Sequence, residues 1–133
     1  MNLQNWKFWF LRVYVLWQNR FDRLYRISLR ERPKKFRLAY TYGEIPMATI
    51  QQISSLLSFQ KETRCLELGS GIGIFSLYIS LLHESQCRGI EMLPSFVRSS
   101  QRCSHFLSLP CTFEQGDLWE MNWSNYDIIY LTT

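Results

Sequence analysis

Between Arg64 and Gly73 the chain reads Arg-Cys-Leu-Glu-Leu-Gly-Ser-Gly-Ile-Gly, and no other stretch restricts its fold so strongly. A short apolar strand carries one acid, Glu67. Gly69, Gly71 and Gly73 then fall at alternate positions around Ser70 and Ile72, and a helical pattern starts at once with Ile74 and Phe75. Glycines so spaced let a backbone turn tightly and approach a ligand closely, because no Cβ intervenes. The helix behind the turn is expected to offer its unpaired N–H groups to the same ligand. The order E-x-G-x-G-x-G differs from the G-x-G-x-x-G of dinucleotide loops. It therefore disfavours, without excluding, a nucleotide-dependent oxidoreductase.

From this loop onward strands and helices alternate. Cys65–Leu68 reads as the first strand and Ile74–Leu82 as a helix. Cys87–Glu91 is the second strand, and Pro94 starts a helix that runs to Leu107. Cys111–Gln115 is the third strand, Leu118–Met121 a helical turn, and Tyr126–Leu131 the fourth strand. Such alternation implies right-handed βαβ units and a parallel α/β sheet. Ahead of the first strand, Pro46 is placed to start a helix whose buried side is Met47, Ile50, Ile53 and Leu57.

Charge divides the 133 residues at about position 38. Residues 1–38 hold ten Lys/Arg and two acids, a net +8, while residues 39–133 hold five and nine, a net −4. The basic arm suits phosphate, an anionic surface or an acidic partner, or is a solvated helix face. Within it Trp6, Phe10, Val13, Tyr14, Trp17, Phe21, Leu24 and Tyr25 recur at steps of three and four. They predict one amphipathic helix from Leu3 to Glu31, with Arg12, Arg23, Arg26 and Arg30 opposite. Phe8, Trp9, Val15 and Leu16 lie outside that stripe, a surplus for one core contact. The arm can pack on the following domain, meet a partner, or lie on a membrane interface. Glu31–Arg37, with Pro33, reads as a charged linker, so 1–38 and 39–133 are the two expected units.

Cys65, Cys87, Cys103 and Cys111 form no C-x-x-C pair, and with only His83 and His105 beside them no metal site is expected. Reduced core thiols in a cytoplasmic protein are the expectation. No secretory signal or span long enough for a bilayer is read, which leaves a location peripheral to a membrane open through the arm.

Ligands of such sheets bind beyond the carboxyl ends of the strands, where strand order reverses; for order 3-2-1-4 that is between the first and fourth strands. Glu91 ends the second strand eighteen residues after Gly73 and is placed to take two ribose hydroxyls, as the corresponding acid of an NAD site also is. Gly116-Asp117-Leu118 follows the third strand. There Asp117 can accept from an adenine amino group under cover of Leu118, or can simply be a turn residue.

Together these motifs resemble those of class I methyltransferases, from Tyr42 to Leu131. The resemblance implies a Rossmann-like sheet and S-adenosylmethionine (SAM) as cofactor. It implies that Glu67, Gly69, Ser70, Gly71 and Gly73 hold the methionine end, Glu91 the ribose, Asp117 the adenine, and that Met92 lies against the ring. Tyr42-Gly43-Glu44 resembles the entry loop of the non-SET protein-lysine methyltransferases, which implies that Tyr42 and Glu44 fold over the methionine part. A protein acceptor is then expected ahead of RNA.

The chain departs from the family after the fourth strand. Enzymes acting on amino groups commonly carry Asn or Asp there, whereas this chain has Leu131-Thr132-Thr133. The family sheet has seven strands and four are found here, so a C-terminally truncated chain is expected. No catalytic base is assigned. A non-catalytic SAM-binding or scaffold protein, or an inactive fragment, stands as the alternative.

Overall fold

The structure, a computed structural model, describes residues 5–31 and 45–131. Four strands, β1 (Arg64–Leu68), β2 (Gln86–Glu91), β3 (Cys111–Gln115) and β4 (Ile128–Leu131), form one sheet of order β3-β2-β1-β4. All three pairings are parallel, as the alternation of elements predicts. The register aligns Leu68 with Ile90 and with Leu131, and Glu91 with Gln115, so the carboxyl ends form one row.

The helices are α1 (Asn5–Gln18), α2 (Arg23–Glu31), α3 (Met47–Leu56), α4 (Ile74–His83) and α5 (Pro94–Leu107). Ile74 through Leu81 are all buried: α4 lies between the sheet and α1, is largely apolar, and its Ser76 and Ser80 hydroxyls donate to Glu67 and to Leu77 O. Pro94 occupies the first turn of α5, where its missing N–H costs nothing. One sheet face carries Cys65, Cys87, Cys111 and Phe113 into the main core with α4 and α5. On the other face Leu66, Leu68 and Ile90 form a smaller cluster with Leu118, Met121 and Tyr126. All four cysteines are free and buried. Burial pushes the Cys103 thiol up to about 12 and raises that of Cys111. The Cys87 thiol is raised too, by its hydrogen bond with Cys65 and then by burial, and protonated thiols of this kind are inert.

The arm is not the single helix expected from Leu3 to Glu31. It breaks at a 3-10 turn, Arg20–Asp22, where Asp22 has φ 55°. Side chains end α1 by taking its last carbonyls: Asn19 Nδ2 donates to Val15 O at 2.8 Å and Arg20 Nη1 to Trp17 O at 2.8 Å. The buried face also differs. Leu11, Tyr14 and Gln18 point inward with Phe8, Phe10 and Val15 beside them, while Trp6, Val13, Trp17 and Tyr25 of the expected stripe are exposed.

Polar anchors fix this rotation. Lys7 Nζ donates to Leu107 O at the end of α5 (2.7 Å), and Tyr14 Oη donates to Ile72 O in the glycine loop (2.8 Å). At the far end of the arm Glu31 accepts from Ser95 N (3.0 Å) and Ser95 Oγ in the first turn of α5. A cation at the C-terminus of α5 and an acid at its N-terminus both complement the helix dipole. Of the readings left open by the sequence, packing on the domain is what the inner side of the described arm does.

Candidate functional site

The glycine loop leaves β1 at Leu68 and enters α4 at Ile74. Gly69, Gly71 and Gly73 have φ of 75°, 58° and 84°, a left-handed path that a Cβ would strain. Gly73 has a second constraint: an added Cβ would lie 2.6 Å from Phe113 Cζ and 2.9 Å from Ser100 Cβ. Gly89 in β2 is equally confined, with Phe113 Cδ1 at 2.5 Å and Ser70 Cβ at 2.9 Å from such an atom. Phe113 thus wedges between loop and strand, and glycine at both positions lets the loop settle against the end of β2.

Backbone bonds then fasten it. Gly69 N and Ser70 N both donate to Ile90 O, at 2.8 and 3.0 Å, and Gly73 N donates to Ser70 O at 2.8 Å. Glu91, buried at the end of β2, accepts from Gly71 N through Oε2 (2.7 Å) and from Met92 N and Leu93 N through Oε1 (2.8 and 3.1 Å). The acid read as a ribose ligand is therefore also the tether of the loop. Glu67 turns the other way: Oε1 accepts from Ser76 Oγ at 2.7 Å and Ser76 N at 3.3 Å, which serves the first turn of α4 from inside the core. The N–H donors that the sequence reading assigned to a ligand are thus partly taken up by Glu67, Glu91 and Ile90.

Asp117 sits half-buried past β3, where Gly116 N donates to Glu91 O at 3.1 Å and so joins the ends of β2 and β3. Its Oδ1 accepts from Trp119 N at 3.0 Å and caps the short 3-10 turn Leu118–Glu120, the turn role that the sequence left open. Gln115 Nε2 donates to Met92 O at 3.2 Å. Gly69–Gly73, Glu91, Met92, Asp117 and Leu118 thus gather along the carboxyl row, whereas Glu67 lies behind it. Tyr42 and Glu44 fall outside the described residues.

Among the described residues, Ser70 Oγ is a buried hydroxyl without a hydrogen-bond partner. An unfilled hydroxyl in the loop, three left-handed glycines and an acid at the next strand end fit the polar, hydroxyl-rich ends of a nucleoside cofactor. Sequence reasoning missed Tyr14 and Gly89. Only a hydroxyl on an otherwise apolar helix face, and a glycine inside a strand, hinted at them.

Residues 28–127 match the model of the histone methylation protein DOT1. The chain belongs to that family. The resemblance to methyltransferases read from the glycine loop and the strand ends is thereby borne out, as is the parallel α/β fold. Among solved structures it is similar to an RNA methyltransferase from Salinibacter ruber in complex with S-adenosyl-L-homocysteine, at 23% identity and TM-score 0.64, over 67% of this chain and 60% of that one. It is similar to YjhP from E. coli, at 20% identity and TM-score 0.63, over 82% and 43%. A SAM-dependent methyltransferase from Thiobacillus denitrificans, also in complex with S-adenosyl-L-homocysteine, matches at 18% identity and TM-score 0.63, over 76% and 44%. At these identities the likeness is one of fold, and the chain spans at most 60% of these three proteins. A search of curated proteins found no match.

Proposed function

We propose that this chain is the SAM-binding portion of a methyltransferase whose acceptor is a macromolecule, a protein ahead of RNA. The observation that carries the reading is the loop fastened to β2 by Gly71 N–Glu91 Oε2 at 2.7 Å, beside the unpartnered Ser70 hydroxyl. Bound SAM supplies a methyl already activated on a sulfonium, so the protein's task is to hold two reactants in line. Glycines 69, 71 and 73 with Ser70 would hold the methionine end, Glu91 the ribose hydroxyls and Asp117 the adenine amino group. Leu118 and Met92 would flank the ring. Family membership favours a protein acceptor, and the match to the DOT1 model supports a histone as the first to try.

Binding without transfer is the second reading. It is favoured by Leu131-Thr132-Thr133, which stands where enzymes acting on amino groups commonly carry an amide or carboxylate. Calorimetric titration with S-adenosyl-L-homocysteine, with NAD as control, tests the site itself. Radiolabelled SAM offered with histones and with RNA then separates the readings. Saturable binding of S-adenosyl-L-homocysteine with none of NAD, and label on histones, is the expected result. NAD binding, or no binding by folded protein, overturns the assignment; binding without label on either acceptor leaves the second reading in its place.

A further inference from the structure

The outward face of α1 is more apolar than a solvated helix face should be. Trp9, Leu16 and Trp17 are 67%, 73% and 61% exposed, and Trp6 and Val13 share that side. Phe106 of α5 extends the patch, packed edge-on to Trp6 at 6.1 Å and stacked on Phe10 at 4.6 Å. The helix cannot roll these groups inward, because Leu11, Tyr14 and the Lys7 bond to Leu107 O hold its opposite side to the domain. The indoles do not stand alone. Arg12 is exposed, and the Arg20 guanidinium lies 3.7 Å over the Trp17 ring. Arg26 and Arg30 are exposed on α2 beside Tyr25 and Leu29.

We propose that this face docks the protein on an anionic lipid surface, with Trp9, Val13, Leu16 and Trp17 at the boundary of headgroups and acyl chains and Arg12 and Arg20 at the phosphates. Charge decides the occupant: the first 38 residues hold ten Lys/Arg and two acids, and one of those acids, Glu31, is engaged with Ser95. Indoles interleaved with arginine are the composition of helices lying in a membrane interface. The aliphatic Val13 and Leu16 between them suit acyl chains better than stacked bases, which take aromatic faces. A 14-residue helix is about 21 Å long and would lie flat; no helix among the described residues is long and apolar enough to cross a bilayer.

The test is co-sedimentation of the full chain with vesicles of phosphatidylcholine alone and of equimolar phosphatidylcholine and phosphatidylglycerol. The triple variant Trp9→Ser/Leu16→Ser/Trp17→Ser is run in parallel, its fold checked by circular dichroism. The expected result is sedimentation with the anionic vesicles only, weakened by salt, and a loss of partitioning of about tenfold or more in the variant. A single variant, Arg12→Glu, should lower partitioning while leaving the apolar face whole. Equal partitioning of variant and parent overturns the proposal, as does no sedimentation of the parent. So does capture by an RNA oligomer or by a second copy of the chain that the same substitutions abolish.

Discussion

Glu91→Gln separates the two duties of the residue on which the site depends. One oxygen of Glu91 takes Gly71 N and the other takes Met92 N and Leu93 N, at 2.7, 2.8 and 3.1 Å. An amide has one oxygen and one NH2 group, so whichever way it turns at least one of these donors faces another donor. A buried unpaired donor costs about 1–3 kcal/mol, and weakening of the remaining bonds from carboxylate to amide adds roughly 1 kcal/mol. The expected loss is then about 2–4 kcal/mol, against a domain stability of roughly 5–15 kcal/mol, so the variant should still fold. Glu91→Ala is the poorer probe: removing the whole carboxylate orphans three donors, so a loss of affinity would not be separable from a loosened loop. Urea unfolding of the glutamine variant reads the tether, and titration with S-adenosyl-L-homocysteine reads the site. A stability change below about 0.5 kcal/mol would refute the tether, since surface substitutions already produce that much. Unchanged affinity in a variant that is destabilised as expected would remove Glu91 from the ligand site and leave its tether standing.

Tyr14→Phe deletes one hydroxyl, leaves the ring, and should cost about 1–3 kcal/mol in urea unfolding while raising hydrogen exchange at the glycine loop, where Ile72 O loses its donor. Equal exchange at residues 70–74 would show that the arm does not restrain the loop. Gly89→Ala should destabilise by about 1–3 kcal/mol, because its Cβ meets Phe113 at 2.5 Å and displaces Ser70; a stable variant with intact ligand affinity counts against the wedge. Burial pushes the His83 imidazole below its usual range, where it meets Ser54 Oγ at 2.5 Å and stacks on Phe59. A depressed value means the unfolded chain binds the proton first, so this contribution is complete above about pH 6.5 and is lost as pH falls below it. The slope of unfolding free energy between about pH 5 and 6.5 should shrink in His83→Gln; an identical slope would acquit His83. A chain lacking residues 1–31 should be soluble only in denaturant or with detergent; cooperative unfolding at the parent's midpoint is the contrary result.

The sheet was legible because each of its signals is local. Alternating apolar runs, a proline at the start of α5 and a glycine loop between β1 and α4 each fix structure within a few residues: β3 has the expected bounds, and the other three strands differ from the expected ones by one or two positions at their first end. The acid at the end of β2 was placed correctly for the same reason, by spacing alone. Its tether to Gly71 was not visible, since that depends on how far the loop bends back. Glu67 shows the limit of a motif: the pattern marks an acid before the glycines, but strand alternation puts its side chain on the α4 side of β1. The face of α1 misled through excess. With apolar residues around most of its circumference, periodicity found a stripe that shares Tyr14 with the true inner face, while the polar Lys7 and Gln18 on that inner face counted against it.

The arm also shows why long-range polar anchoring escapes a reading of residue pairs. Lys7 and Tyr14 end on carbonyls of Leu107 and Ile72, and Glu31 takes a backbone N–H of Ser95 along with its hydroxyl. Two of the three anchors have no side-chain partner to find in the sequence; they address the end of a helix and the turn of a loop, which exist only once the sheet has formed. Their energetic weight is secondary to burial. Leu11, Tyr14, Leu24 and Ile27 are each at least nine-tenths buried, and at about 1.5–3 kcal/mol apiece they contribute roughly 6–12 kcal/mol, as much as the net stability of a whole domain. Apolar burial therefore holds the arm down, and the polar anchors decide which side faces down. That division of labour leaves three tryptophans outward on a helix with an ample apolar supply for its own core, so the outward set is a surface the fold does not need for its stability.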